Sequence, residues 1–197
     1  EEAREMILEE IDDEGLLVGR DEITHAVQTH ERCDTAVEYY LADQWFVKML
    51  DIKEDLKDRA DEIDWYPEFM KKRFDEWTEG LKWDWCVSRQ RFYGVPFPVW
   101  YCDDCGEPVF ADEDELPVHP NEEEPGVDEC PNCGNDSFEP ETDVMDTWYT
   151  SSLTPLINAH WGGDDENMDI YPMSLRPQGY DIIRTWAFYT VLKSHLH

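Results

Sequence analysis

Ala3, Met6, Ile7 and Ile11 recur at helical spacing, and Gly15 stops the run, so the chain opens on an amphipathic helix. Residues 16–18 and 23–27 read as short strands, and 35–50, rich in β-branched and aromatic side chains, as strand running into helix. Residues 52–63 carry the pattern of a charged surface helix, broken at Tyr66-Pro67. Phe69, Arg73, Phe74, Trp77 and Leu81 then return at helical spacing, with Pro67 suited to a first turn. Residues 95–100, holding Pro96 and Pro98, suit an edge strand or an extended segment. Residues 107–129 and 164–169 are acidic and loop-forming, and 175–195 read as strand, turn, helix.

Charge changes the picture. There are 48 acidic residues against 16 basic, for a net charge of −32. A chain of low hydrophobicity with this charge reads as disordered, but 41% hydrophobic residues and nine Trp supply a sizeable core. In dilute buffer such a surface repels nucleic acid. In molar salt the Debye length shrinks to about 3 Å, and surface charge acts only locally. With just seven Lys, the composition predicts a salt-rich cytoplasm, as in an extreme halophile; the alternative is an acidic protein from an ordinary cell. No stretch approaches the roughly 20 apolar residues of a membrane span, and no signal peptide opens the chain. The expected location is cytoplasmic, with no membrane and no obligate protein partner. The chain starts without Met, and both ends lie in helical register, so an internal fragment is expected.

Cys102, Cys105, Cys130 and Cys133 form two CxxC pairs separated by 24 residues, each followed by Gly (Gly106, Gly134). A CxxC turn offers two sulfurs to one ion, and two such knuckles make a zinc ribbon. Two disulfides or a redox pair are the alternatives; an intracellular chain disfavours the first, and paired knuckles disfavour the second. Four thiolates leave no open position for water, so the zinc is expected to be structural. Cys33 and Cys86 are expected to be buried thiols, and His25, His30 and His160 to be ordinary hydrogen-bonded histidines.

Two short runs hold the remaining chemistry: residues 141–152, ETDVMDTWYTSS, and 176–189, RPQGYDIIRTWAFY. A site for a free aliphatic amino acid needs a carboxylate for the ammonium and rigid apolar walls. Ile182 and Trp186, four apart, share a helical face; Asp181 stands at the helix start; Trp148 lies in the other run. Spacing alone favours core tryptophans and an N-cap aspartate.

The order of five stretches reverses that preference. HERCDTAVEYYLADQWFVKM (30–49), WDWCVSRQRFYGVPFPVWYC (83–102), the two knuckles with ELPVHP between them, and the two runs above resemble consecutive landmarks of the valyl-tRNA synthetases, a family of class I aminoacyl-tRNA synthetases. The resemblance covers essentially the whole chain. Isoleucyl relatives carry Asp-Val-Trp-Phe-Asp-Ser-Gly where this chain has residues 143–151, which favours valine.

The resemblance implies part of a Rossmann-like α/β catalytic domain, with a zinc-ribbon insertion and the exit segment of an editing insertion. It divides the chain into 1–50 (editing exit), 51–100 (helical connector and return), 101–140 (zinc ribbon) and 141–197 (second half of a parallel, doubly wound catalytic sheet). Trp148, Ile182 and Trp186 would wall the valine side chain, and Asp181 would hold its ammonium. The complete enzyme would use ATP and Mg2+ to activate valine and transfer it to tRNA(Val). The HIGH-type and KMSKS-type ATP motifs and the editing pocket are missing, so this stretch alone is expected to be inactive. Arg89 and Arg91, near Lys71, Lys72, Arg73 and Lys82, are candidate tRNA or phosphate contacts; the alternative, a surface charge with Arg89 in a buried ion pair, is favoured. The rival functions are a zinc-ribbon binding module and a sibling isoleucyl or leucyl enzyme.

Overall fold

The computed structural model describes residues 2–197. The chain divides into two units, Glu1–Ala42 and Asp43–His197.

In the first unit, helix α1 spans Glu2–Asp13. Gly15, at φ +69°, ends it as expected. Its N–H returns to Asp12 O (2.9 Å) and that of Leu16 to Ile11 O (3.0 Å), satisfying carbonyls that the last turn leaves open. The apolar face of α1 buries none of its residues; Met6 stays 64% exposed. The strands expected at 16–18 and 23–27 do not form, because no ladder partner lies beside them. One bridge, Thr29 to Ala36, closes a turn around His30. Cys33 sits in that turn and is exposed, not buried as expected.

The second unit carries the core. Strand β1 is Phe46–Val47, helix α2 Lys53–Asp61 and helix α3 Lys71–Gly80. Strands β2 (Trp85–Cys86), β3 (Ser88–Arg89), β4 (Val99–Cys102), β5 (Pro108–Phe110), β6 (Phe138–Pro140) and β7 (Val144–Met145) follow. Helices α4 (Thr147–Ser151) and α5 (Thr154–Asn158) lead to a 3-10 turn at Tyr180–Ile182, a π turn at Ile183–Ala187 and helix α6, Phe188–Leu196. Helices α2 and α3 fall where the apolar spacing predicted them. Between 35 and 50 the only strand is β1, besides the isolated bridge at Ala36, and no helix follows before α2.

Leu56 and Ala60 of α2, Phe74 of α3, and Phe188 and Leu192 of α6 are all 0% exposed. Phe74 meets Phe188 with ring centroids 5.4 Å apart, and Trp65 at 5.8 Å. Against these helices pack Trp85, Val87, Phe97 and Val99. Trp85 stacks on Tyr189 at 3.6 Å with an interplanar angle of 5°.

Every strand pairing among the described residues is antiparallel. The sheets are β1–β2, β3–β7 and β5–β4–β6. The parallel half-sheet expected for 141–197 is not seen, and residues 175–179 form no ladder. A strand is defined by its neighbour, and this stretch has none within the chain. The edge strand expected at 95–100 is also corrected. Val99–Cys102 is the central strand of its sheet, because Pro96 and Pro98 precede it and leave its own N–H groups free to pair.

One carboxylate ties these sheets together. Glu141 accepts from the Trp45 indole (2.9 Å), the Tyr101 hydroxyl (2.8 Å) and the Asp143 N–H (2.7 Å). Burial pushes its pKa up, but these donors and the Thr142 N–H outweigh it and hold the group below the ordinary value of 4.5. Burial and this same carboxylate push the Tyr101 hydroxyl above its usual range. A depressed carboxylate stabilises the fold above its unfolded pKa and loses that contribution as pH falls through the folded value. Urea unfolding should therefore find Glu141→Gln less stable than wild type above pH 4.5. The gap should close as pH drops below that value.

Candidate functional site

Strand β4 ends on Cys102, and the chain turns through Cys105 to enter β5. Two backbone bonds build this knuckle: Cys102 N–H to Glu107 O (3.0 Å) and Gly106 N–H to Cys102 O (2.8 Å). The second knuckle repeats them as Cys130 N–H to Asn135 O (2.7 Å) and Gly134 N–H to Cys130 O (2.9 Å). Each turn needs its glycine for conformation: Gly106 stands at φ +69° and Gly134 at +77°, a region costly for any residue with a Cβ. Trp100, 2% exposed, donates its indole N–H to Pro120 O (3.3 Å) and Glu123 O (3.1 Å). That anchors the long acidic loop between the knuckles.

The four sulfurs lie within 4.8 Å of one another. Cys102 to Cys133 is 3.4 Å and Cys105 to Cys130 is 3.6 Å. Four thiolates about 2.3 Å from one tetrahedral ion stand about 3.8 Å apart, so the set fits zinc. Burial raises the pKa of the Cys102 thiol. The N–H groups of Cys105 and Asp104 and the Asn135 amide (3.5 Å) outweigh it and hold the thiol below its ordinary value. At Cys133 the Asn135 N–H pulls the other way, but burial and the neighbouring sulfurs outweigh it and push the thiol up, so the first proton leaves from Cys102. A thiol already inclined to ionise is a ready metal ligand. Cys102 and Cys130 are buried while Cys105 and Cys133 are exposed, and a full set of four leaves no open position for chemistry.

A second constellation gathers around Asp146. This residue is 5% exposed. Its Oδ2 pairs with Arg89 Nη2 at 2.5 Å, and its Oδ1 accepts from the Trp148 N–H at 2.9 Å as the N-cap of α4. Arg89 also donates Nη1 to Ser88 O (2.7 Å) and Cys86 O (3.0 Å). Arg89 is thus engaged in an ion pair, as favoured from the sequence, but only its carboxylate partner is buried: the Arg89 side chain stays 33% exposed, and Arg91 is exposed. Sequence reasoning missed Asp146; its signal was the Asp-Thr-Trp N-cap pattern.

Trp148 is half-buried against the core. Trp186 lies in the π turn, where Phe188 N–H bonds to Ile183 O, five residues back. Its indole N–H donates to Ser151 O of α4 at 3.2 Å. The two tryptophans therefore stand on elements that touch. Ile182 is half-buried one turn before Trp186, and Asp181 is exposed at the head of the helix. Asp181 is not an N-cap; Gly179 occupies that position in the 3-10 turn. Two hollows of the molecule lie elsewhere. One of about 340 Å³ is lined by Leu153, Leu156, Ile157, His160, Trp161 and Gly163, and one of about 280 Å³ by Arg73, Glu76, Trp77 and Arg184.

Two outcomes follow from this geometry. Purified protein should carry one zinc per chain by mass spectrometry of metals, and Cys130→Ser should lose it and melt at lower temperature. Asp146→Ala, which removes the carboxylate from a half-buried guanidinium and the N-cap from α4, should cost about 2–3 kcal/mol in urea unfolding.

The profile of the family described as tRNA synthetases class I (I, L, M and V) matches residues 4–196. The valine–tRNA ligase of Methanopyrus kandleri is 52% identical over 197 residues, covering 100% of this chain and 21% of the relative. That of Haloarcula marismortui is 52% identical over 203 residues, covering 100% and 22%. That of Thermoplasma volcanium is 50% identical over 197 residues, covering 100% and 24%. The chain thus spans less than a quarter of the length of these relatives. Matched by one family profile from residue 4 to residue 196, with the paired cysteine knuckles and the Asp-Thr-Trp helix start in place, the chain belongs to the class I tRNA synthetases of the I, L, M and V group.

Proposed function

We propose that the enzyme containing this chain activates valine with ATP and transfers it to tRNA(Val). The relatives' names support the amino acid: eight, at 45–52% identity, are valine–tRNA ligases. The observation that carries the site is the bond from the Trp186 indole to Ser151 O, 3.2 Å. It locks the π turn to the helix that begins at Trp148, so two indoles share one rigid support. A π turn inside a helix is a frequent mark of a functional site.

In this reading Trp148, Ile182 and Trp186 form the walls around the valine side chain, and the exposed Asp181 holds the ammonium. The reacting step is attack of the valine carboxylate on the α-phosphate of ATP, releasing pyrophosphate, with Mg2+ neutralising the phosphates. Residues of this chain contribute positioning, which is worth much of such a barrier. Two indoles narrow the pocket against isoleucine. One methylene is worth only about 1–3 kcal/mol, and threonine is nearly isosteric with valine, so a separate editing site must remove it.

The zinc ribbon of 101–140 is a structural excursion between the connector, 51–100, and the catalytic part, 141–197; residues 1–50 return from the editing insertion. Arg91 is the exposed cation left to meet tRNA phosphate, since Arg89 is engaged with Asp146. The net charge of −32 fits work in concentrated salt, where such contacts are screened to short range.

The test is amino-acid-dependent ATP–pyrophosphate exchange by the complete enzyme in molar KCl. Valine should lead isoleucine, leucine and threonine. Trp186→Ala should lower kcat/KM for valine roughly tenfold to hundredfold, and Asp181→Ala should raise the KM. Absence of exchange with every amino acid, from folded and zinc-loaded enzyme, overturns the proposal.

A further inference from the structure

Residues 175–179 form no ladder and lay one side chain on the π turn. Arg176 Cζ stands 4.0 Å from the centroid of the Trp186 ring. Its Nη1 lies 3.6 Å from Met173 Sδ, and its Nε and Nη2 are buried with no hydrogen-bond partner among the described residues. A guanidinium is rarely left with two unpaired, desolvated donors, because each forfeits its bond to water. No carboxylate compensates it here, although the chain has 48 acidic residues. What faces it is the π cloud of Trp186, and a desolvated cation over an indole is the strongest form of that attraction. Burial also lowers the Arg176 pKa.

An indole has one N–H edge and two faces. The N–H of Trp186 is taken by Ser151 O at 3.2 Å. One face is taken by Arg176. The opposite face is then the surface the ring presents to a substrate. We propose that Arg176 is a positioning residue of the amino-acid site: it fixes the plane of Trp186 and through it the width of the pocket. Arginine suits the task better than lysine, since its planar, weakly hydrated head lies flat on an aromatic ring. This inference rests on the reading of Trp186 as a pocket wall.

A double-mutant cycle in the complete enzyme tests it, with pyrophosphate exchange read separately as KM and kcat for valine and for isoleucine. Arg176→Met should raise the valine KM about fivefold to tenfold, with kcat nearly unchanged, and should narrow the preference for valine over isoleucine. Arg176→Lys should recover part of the loss. In a Trp186→Leu background, Arg176→Met should have no further effect on KM, because the residue it acts through is gone. Additive effects, or an unchanged KM in Arg176→Met while Trp186→Leu raises it, overturn the role of Arg176 and leave the pocket standing. No change in KM on Trp186→Leu overturns the pocket reading and this inference with it. Thermal unfolding of each variant excludes loss of fold, and Arg176→Lys serves as the probe if Arg176→Met unfolds.

Discussion

The Arg89–Asp146 ion pair is the interaction on which the architecture of the second unit turns. It spans the short β3–β7 ladder and spends both carboxylate oxygens: one on the guanidinium, one on the N–H of Trp148, the second residue of its helix. The remaining guanidinium donors close on the carbonyls of Cys86 and Ser88. A partly buried pair costs much of its own attraction in desolvation, so it adds little net stability. Its contribution is to fix which backbone meets which. In a chain whose sheets have two or three strands each, that specification matters more than in a broad sheet with many redundant pairings.

The metal knuckles solve a different problem. The loop between Cys105 and Cys130 is rich in carboxylates and proline and cannot bury enough apolar surface to hold itself. It is pinned at its ends by sulfurs converging within 4.8 Å and in its middle by the indole of Trp100. Both devices are local, so neither depends on removing the repulsion among surrounding carboxylates. The same separation of a charged surface from an aromatic interior runs through the second unit. Trp85, Tyr189, Phe188 and Phe74 form a chain of ring contacts, stacked, edge-on and tilted in turn, while acidic residues line the exposed faces of α2 and α3.

Around the tryptophans, the backbone departs from regular helix in the order 3-10, π, α. The departure aims Trp186 toward α4, where its N–H finds Ser151 O. Residues 175–179, which form no ladder, bring Arg176 onto the same ring. The Trp186 ring is thereby held at its N–H edge by Ser151 O and on one face by a guanidinium.

By itself the sequence determined whatever rests on local spacing. The CxxC pairs with their glycines specify the knuckles, because two sulfurs three residues apart and a left-handed glycine need no distant partner. The periodicity of Phe74, Trp77 and Leu81 specifies α3, and Gly15 specifies the end of α1. The tertiary structure alone decided the pairings. Residues 16–18 and 23–27 have strand composition and no ladder, since a strand exists only with a neighbour, and residues 175–179, read as a strand, hold Pro177 and Gly179 and form none. Val99–Cys102, assigned to an edge by its prolines, became central because the prolines stop one residue short. Asp146 showed locally only as an N-cap, and Glu141 and Arg176 not at all, because the partners that make them hubs, Arg89, Trp45 and Trp186, stand 57, 96 and 10 positions away, separations that no local pattern records.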